Sequence, residues 1–469
     1  MVSTPSRYRE GVRGSAAGGG PAAAPEPARI VEINPDDISM KDDQPGAWLF
    51  ARPTGGIRWG LERTEELLAG VGDPHRRFRS LHVAGTNGKG SVSALCDAAL
   101  RAADPARTVG LYTSPHLVSF DERIRIGGRR VDRELLLACE ARLRPAIERT
   151  GASFFEGTTA IAFLCFAEAG VDVAVVEVGL GGRLDSTNVV TPLACAVTNV
   201  ARDHVEYLGE SLEEIAYEKA GIFKPGVPAV TGETDPRSLA VLRLRAEEAG
   251  APLTVIEAGA VSDVAVSLRG TVFELESERW GSREVHTSLV GAHQARNAAV
   301  AAELLGLLPR DVRPPWNAIE AGFASARWPG RLQVERVRGT TWVFDVAHNE
   351  AGVVSLASAL DALHLPRPVV LVTAILKDKG WTEMLPPLLA RAAAAVLTVA
   401  PSSPESRRWD PSEAAERIGE SAAIPVRVIP DLAAALQRAE TLAPYGTVLV
   451  TGSVHTVGDA LHELGIPIF

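Results

Sequence analysis

A lysine set among glycines, in "GTNGKGS" from Gly85 to Ser91, has the composition of a loop that wraps phosphate. Gly85, Gly88 and Gly90 let backbone amides turn toward an anion, and the ammonium of Lys89 can sit on its terminal oxygens. The letters are shifted from the common Gly-x4-Gly-Lys-Ser/Thr order: Gly90 takes the slot of the metal-binding hydroxyl, and Ser91 comes one residue late. Metal ligands must then come from elsewhere. Ser114 in "YTSPHL", Glu177 in "VVEVGLGGRLDSTN", and Asp203 with His204 in "NVARDHVEYLG" have suitable side chains. Glu177 closes the apolar run "VDVAVV", where a carboxylate is costly to bury unless it meets a metal or a lysine. A structural ion pair is the competing explanation for it, and a hydrogen-bonded structural histidine is the competing one for His204.

Such side chains work together only on a scaffold that gathers strand ends. The run "LHVAG" enters the loop as a strand and "SVSALCDAALRAA" leaves it as a helix, the setting a phosphate loop requires. From about 46 to 333, the strand-like runs "TVGLYT", "VDVAVVEVG" and "LACAVTNV" alternate with helical ones, the rhythm of a parallel sheet covered on both faces. Around 262–289 the alternation in "TVFELES" predicts a small antiparallel sheet. The rhythm resumes with "TTWVFDVAH", "RPVVLVTAI", "AAVLTVA", "VRVI" and "GTVLVTGS". The expected fold class is therefore α/β. A phosphate-loop ATPase domain over 46–333 has a mainly parallel sheet and a small antiparallel one, and a smaller Rossmann-like α/β domain over 334–469 follows. "ASARWPGRLQV", Ala324–Val334, carries the turn residues between them. Residues 1–45, poor in large apolar side chains and rich in Gly, Ala and Pro, are expected to be a disordered extension.

Composition narrows the function. With 469 residues, 46% of them hydrophobic, the chain can bury two or three cores. A net charge of −10 argues against nucleic acid as partner. Cys96, Cys139, Cys165 and Cys195 form no C-x-x-C pair and suit a reducing cytoplasm. No apolar run of about 18 residues and no secretory core appear, so neither membrane nor export is expected. Among the 48 basic residues only Lys41, Lys89, Lys219, Lys224, Lys377 and Lys379 are lysines. A lysine kept in so arginine-rich a chain suits a point charge on phosphate or a reactive amine.

Eight segments in collinear order carry a resemblance: "HVAGTNGKGS", "TSPHLVSFDERIRI", "EVGLGGRLDSTN", "EKAGIFKPG", "GAHQARNAAVA", "WPGRLQV", "FDVAHN" and "VLVTGS". Together, from about Trp48 to the C-terminus, they resemble the folylpolyglutamate synthase/dihydrofolate synthase family, a branch of the Mur-type ATP-dependent amide ligases. The resemblance implies a Mur-ligase-type fold in which "GTNGKGS" is the ordinary loop. Gly88, Lys89, Gly90 and Ser91 would cradle the phosphates of ATP, and Ser114, Glu177 and His204 would hold two Mg²⁺ ions. A monovalent cation such as K⁺ is a further expected cofactor. Lys219 matches the family's carbamylated lysine, which needs a neutral amine that arginine cannot offer; on spacing alone it reads equally as a helix-surface lysine. Asn297 would contact the nucleotide, Arg331 the phosphates and Asp345 the adenosine. His348, with Lys377 and Lys379 of "LKDKG", would face the incoming glutamate.

The implied reaction is amide ligation: a carboxylate attacks the γ-phosphate of ATP, and the α-amine of L-glutamate displaces phosphate from the acyl phosphate. The acceptor is dihydropteroate, a reduced folate, or both. Ser153, Phe154, Phe155 and Glu156, then Leu184, Asp185 and Ser186, resemble the pterin-binding segments of bifunctional bacterial enzymes. Gly56, Ile57 and Arg58 fall where a third segment lies, but the bifunctional pattern often has aspartate in place of Arg58. Plain core packing accounts equally well for the two phenylalanines. A monofunctional folylpolyglutamate synthase, a cell-wall Mur ligase and a non-catalytic nucleotide-binding regulator are the alternatives. The expected enzyme is a cytoplasmic monomer with small-molecule partners.

Overall fold

The structure, a computed structural model, describes residues 46–50, 59–419 and 423–468. The expected extension 1–45 and the folate-segment residues Gly56, Ile57 and Arg58 lie outside the described residues.

Among the described residues the strands form three sheets. The largest comprises β1 (Arg79–Ala84), β2 (Val109–Tyr112), β3 (Ile124–Ile126), β4 (Arg129–Arg130), β5 (Val173–Glu177), β6 (Ala194–Val197), β7 (Ala229–Thr231) and β8 (Leu253–Val255). Their order is β4-β3-β2-β5-β1-β6-β7-β8, with every pairing from β2 to β8 parallel and the β2-β3-β4 edge antiparallel. That edge meander was not foreseen, because strands of two and three residues are too short to show a period. Side-chain alternation covers both faces of the sheet. Leu81, Val83, Val173 and Val175 pack with the helix Lys89–Ala103, while Ala174 and Val176 face the helix Phe154–Glu168.

The predicted antiparallel sheet is present as β9 (Val261–Ser267), β10 (Gly270–Ser277) and β11 (Gly281–Thr287), in the order β11-β10-β9. Its Phe273, Leu275 and Val285 join the core that holds the helices Lys89–Ala103 and Ala292–Gly306.

The third sheet comprises β12 (Gln333–Val337), β13 (Thr340–Asp345), β14 (Val369–Thr373), β15 (Ala394–Leu397), β16 (Val426–Val428) and β17 (Thr447–Thr451). It runs β12-β13-β17-β14-β15-β16 and is parallel apart from the β12–β13 hairpin. The segment between the helix Trp316–Ser325 and β12 is the only covalent path from the first sheet region to the third. No helix among the described residues is long and apolar enough to cross a membrane.

Candidate functional site

A cavity of about 390 Å³ opens where parallel strands end, as open α/β sheets place their ligand sites. The loop 85–91 between β1 and the helix Lys89–Ala103 forms its floor. Gly88 has φ 84°, a left-handed conformation that only glycine adopts without strain, and a Cβ there would lie 2.3 Å from Asn297 Oδ1. Asn297 therefore rests directly on the loop, with Nδ2 donating to Gln294 Oε1 at 2.9 Å. Lys89 Nζ donates to the carbonyls of Gly85 and Thr86, both at 3.1 Å, within the loop it is expected to serve. Two residues at the end of β6 hold that loop: Thr198 Oγ1 donates to Asn87 O at 2.6 Å, and Asn87 N donates to Asn199 Oδ1 at 3.0 Å. The sequence reading missed both, although their place after the apolar run "ACAV" was the available signal.

The strand ends supply the proposed ligands. Glu177 is the last residue of β5 and is buried; its Oε2 accepts from Ser114 N at 3.1 Å. Burial pushes its carboxyl above the usual value despite Lys89, the Ser114 amide, Arg331 and Arg123 nearby. His204 has φ 52°, an uncommon backbone for a non-glycine residue, and it caps a short helix. Desolvation lowers its imidazole to about 4 despite the adjacent Asp203, so at neutral pH it has a lone pair to offer. Among the described residues no three His, Cys, Asp or Glu side chains converge as a metal site on their own. The donor set nevertheless fits Mg²⁺, which commonly takes one or two protein carboxylates and completes its shell with substrate phosphates and water. Glu177 would contribute the hard oxygen and Ser114 a hydroxyl, and both line the cavity beside the phosphate loop.

Lys219 also reaches the cavity, from the last turn of the helix Leu212–Ala220. It is 3% exposed, which sets aside the surface-lysine alternative. Desolvation lowers its amine to about 7, and repulsion from Lys89 adds to this against the pull of Asp203.

The far wall belongs to the third sheet. Asp345 ends β13 and accepts from Leu332 N and Ala347 N, both at 2.9 Å. Arg331 lines the cavity together with Asp345 and Glu177; desolvation lowers its guanidinium, and those two carboxylates oppose the shift. His348 donates from Nδ1 to Val346 O at 2.9 Å and turns Nε2 toward Asp203 Oδ2 at 3.6 Å. Asp203 also receives Asn349 Nδ2 at 2.9 Å and Lys379 Nζ at 3.1 Å, so it bridges the two sheet regions. Burial would raise its carboxyl, but His348, His204 and Lys379 outweigh that and hold it well below the carboxylate range. Lys379 is thus committed to an ion pair, and Lys377 is exposed.

The expected folate segments do not line the cavity. Ser153 and Glu156 form a capping box on the helix Phe154–Glu168, and Glu156 Oε1 pairs with Arg63 Nε at 2.9 Å. Phe154 and Phe155 are half-buried against the core, and Phe155 abuts Gly179 at the cavity rim. Asp185 accepts from Leu180 N at 2.8 Å and from Thr187 N at 3.0 Å, and also from the Thr187 hydroxyl, which clamps the rim loop. Ser186 is buried and Leu184 half-buried beside it.

Comparison with known proteins places this geometry. The Mur ligase middle domain profile matches residues 83–305, and that of the Mur ligase glutamate ligase domain matches residues 330–454. A dihydrofolate synthase/folylpolyglutamate synthase of Bacillus subtilis is 37% identical over 349 residues, covering 72% of this chain and 80% of its own. The Mycobacterium tuberculosis folylpolyglutamate synthase complexed with ADP and AMPPCP superposes with a TM-score of 0.79 at 34% identity, over 88% of this chain and 97% of that one. E. coli FolC in complex with DHPP and ADP gives 0.77 at 32% identity, over 87% and 94%.

Proposed function

From the premise that this chain belongs to the folylpolyglutamate synthase/dihydrofolate synthase family of Mur ligases and is an ATP-dependent glutamate ligase, we propose that the described cavity carries out both ligations of that family. The observation that carries the proposal is convergence. Lys89, Glu177 and Lys219 from the first sheet region and Arg331, Asp345 and His348 from beyond the linker line one space.

ATP lies with its phosphates on Gly88, Lys89, Gly90 and Ser91, contacted by Asn297, and with its adenosine against Asp345. Two Mg²⁺ ions, held by Ser114, Glu177, His204 and a carbamate on Lys219, would neutralise charge on the phosphate oxygens. The acceptor carboxylate attacks the γ-phosphorus as ADP departs. Lys89 and Arg331 stabilise the charge spread over the transferred group. The α-amine of L-glutamate, oriented by His348, then attacks the acyl carbon, and phosphate leaves as the amide forms. The acceptor's ring system approaches past the rim at Gly179, where Phe154 and Phe155 offer an apolar wall. Ser153, Glu156, Leu184, Asp185 and Ser186 shape that rim through their internal contacts. The enzyme works as a cytoplasmic monomer.

A phosphate-release assay with L-glutamate tests the proposal. Dihydropteroate and tetrahydrofolate should each elicit ATP-dependent phosphate, and a UDP-linked muramyl peptide should not. Release with tetrahydrofolate alone would reduce the enzyme to one activity. Arg331→Ala should lower kcat by about a hundredfold while ADP affinity changes by about twofold or less, because the guanidinium is assigned to the transferring phosphate. Equal losses in both would place Arg331 in ground-state binding.

A further inference from the structure

We propose that Trp328 is a positioning residue that ties the phosphate loop to the inter-domain linker and so fixes where Arg331 stands. The proposal rests on the role assigned to Arg331 above.

It begins with Gly90. That residue lies in the first turn of the helix Lys89–Ala103 with no left-handed backbone angle, so its conformation does not call for glycine. A glycine inside a helix is destabilising relative to alanine, so its presence there needs another cause. The indole of Trp328 supplies one beyond the turn of the phosphate loop: a Cβ on Gly90 would lie 2.4 Å from its Cζ2, 2.7 Å from its Cε2 and 2.8 Å from its Nε1. The ring therefore occupies the space of the missing side chain and presses on the loop's backbone.

Its other surroundings are equally firm. The buried Arg125 guanidinium stands 5.0 Å from the ring centroid, at cation–π range. The ring packs against the core of the first sheet region, and its Nε1 is buried without a hydrogen-bond partner among the described residues. The helix Trp316–Ser325, which delivers Trp328, meets the phosphate-loop helix so closely that a Cβ at Gly322 would lie 2.4 Å from Ala99 Cα.

Two residues further on, the chain is held by the opposite body. Val346 N donates to Gly330 O at 2.9 Å, and Leu332 N donates to Asp345 Oδ2 at 2.9 Å. Arg331 lies between these two anchors. Trp328 is thus fastened to the phosphate loop, and Gly330 and Leu332 to the third sheet. A displacement of the loop reaches Arg331 through an aromatic ring against backbone, a contact with no flexible side-chain end to absorb it.

A double-mutant cycle on the full-length enzyme tests this, read as phosphate release with tetrahydrofolate and L-glutamate and as ADP binding by calorimetry. Trp328→Ala should lower kcat by about tenfold or more with ADP affinity within about twofold, and Trp328→Phe should recover most of the loss. In an Arg331→Ala background the same change should cost about twofold or less, because its effect passes through the guanidinium. An equal loss in both backgrounds, or a fall in ADP affinity that matches the fall in kcat, overturns the proposal. The loop contact has its own arm, independent of Arg331. Gly90→Ala should depress turnover, and Trp328→Ala in the same chain should restore part of it by vacating the space. No restoration would overturn the coupling even if Arg331→Ala behaves as expected. If Arg331→Ala leaves kcat intact, the role of Arg331 falls, and with it the step from Trp328 to the transferred phosphate. Where Trp328→Ala lowers the melting temperature, Trp328→Leu, which keeps an apolar filler, runs the same cycle.

Discussion

Lys89→Ala should abolish ATP turnover, by at least about a thousandfold, and Lys89→Arg should recover little of it. In the structure the ammonium is held by two carbonyls of its own loop at 3.1 Å, a fit for a compact group with three donors. A guanidinium is planar and larger, and its fork cannot take the same two carbonyls and still meet the β- and γ-phosphates. The loop leaves it little room, since Asn297 sits on Gly88 and Trp328 on Gly90. Single-turnover phosphate release, read alongside ADP binding, checks this. Near-normal turnover of the arginine variant would remove Lys89 from its assigned role.

Lys219→Ala should be nearly inactive, and Lys219 in the wild-type enzyme should carry a carbamate. Burial and the repulsion of Lys89 hold its amine to about 7. At pH 7.5 most of such a lysine is neutral and able to attack CO₂, whereas an ordinary lysine would be neutral to about one part in a thousand. The sign follows directly: the reactive form is populated above about 7 and lost as the pH falls through that value. A bare ammonium beside Mg²⁺ would be repelled, whereas carbamate oxygens would support it. A small carboxylic acid in the assay should restore part of the activity of the alanine variant. Removal of CO₂ and bicarbonate should slow the wild type. Mass spectrometry under non-acidic conditions that finds a bare amine in fully active enzyme would overturn the assignment.

Much of the site was legible in the sequence because its parts are punctuated. A glycine loop between an apolar strand and an amphipathic helix can be read from local letters, and a carboxylate closing an apolar run signals a strand end facing a ligand. Glu177 was singled out in that way, and the parallel sheet that carries it follows from the same rhythm of apolar runs, while the ligand role of Ser114 and His204 came from the family resemblance. Lys219 drew notice through composition, yet spacing alone left it undecided between a surface lysine and a reactive one. Burial set aside the surface lysine, and burial is a property of the packed chain.

Tertiary structure alone decided which polar groups were already spoken for. Ser153 and Glu156 drew notice as part of a pterin-like segment, and the structure shows that they form a capping box and that Glu156 pairs with Arg63, 93 positions away. Asp185 closes a loop on itself, and Lys379 is taken by Asp203 from 176 positions away. Gly90 is the clearest case. As a letter it marked a displaced hydroxyl and one of three glycines turning amides toward an anion, and its second constraint was invisible. That constraint is an indole 238 residues downstream, brought against it because the helix before the linker packs on the helix after the loop. Local sequence fixes backbone preference over a few residues. Which side chain meets which across the fold depends on how the sheets and helices close around their cores, and that was decided only when the chain folded.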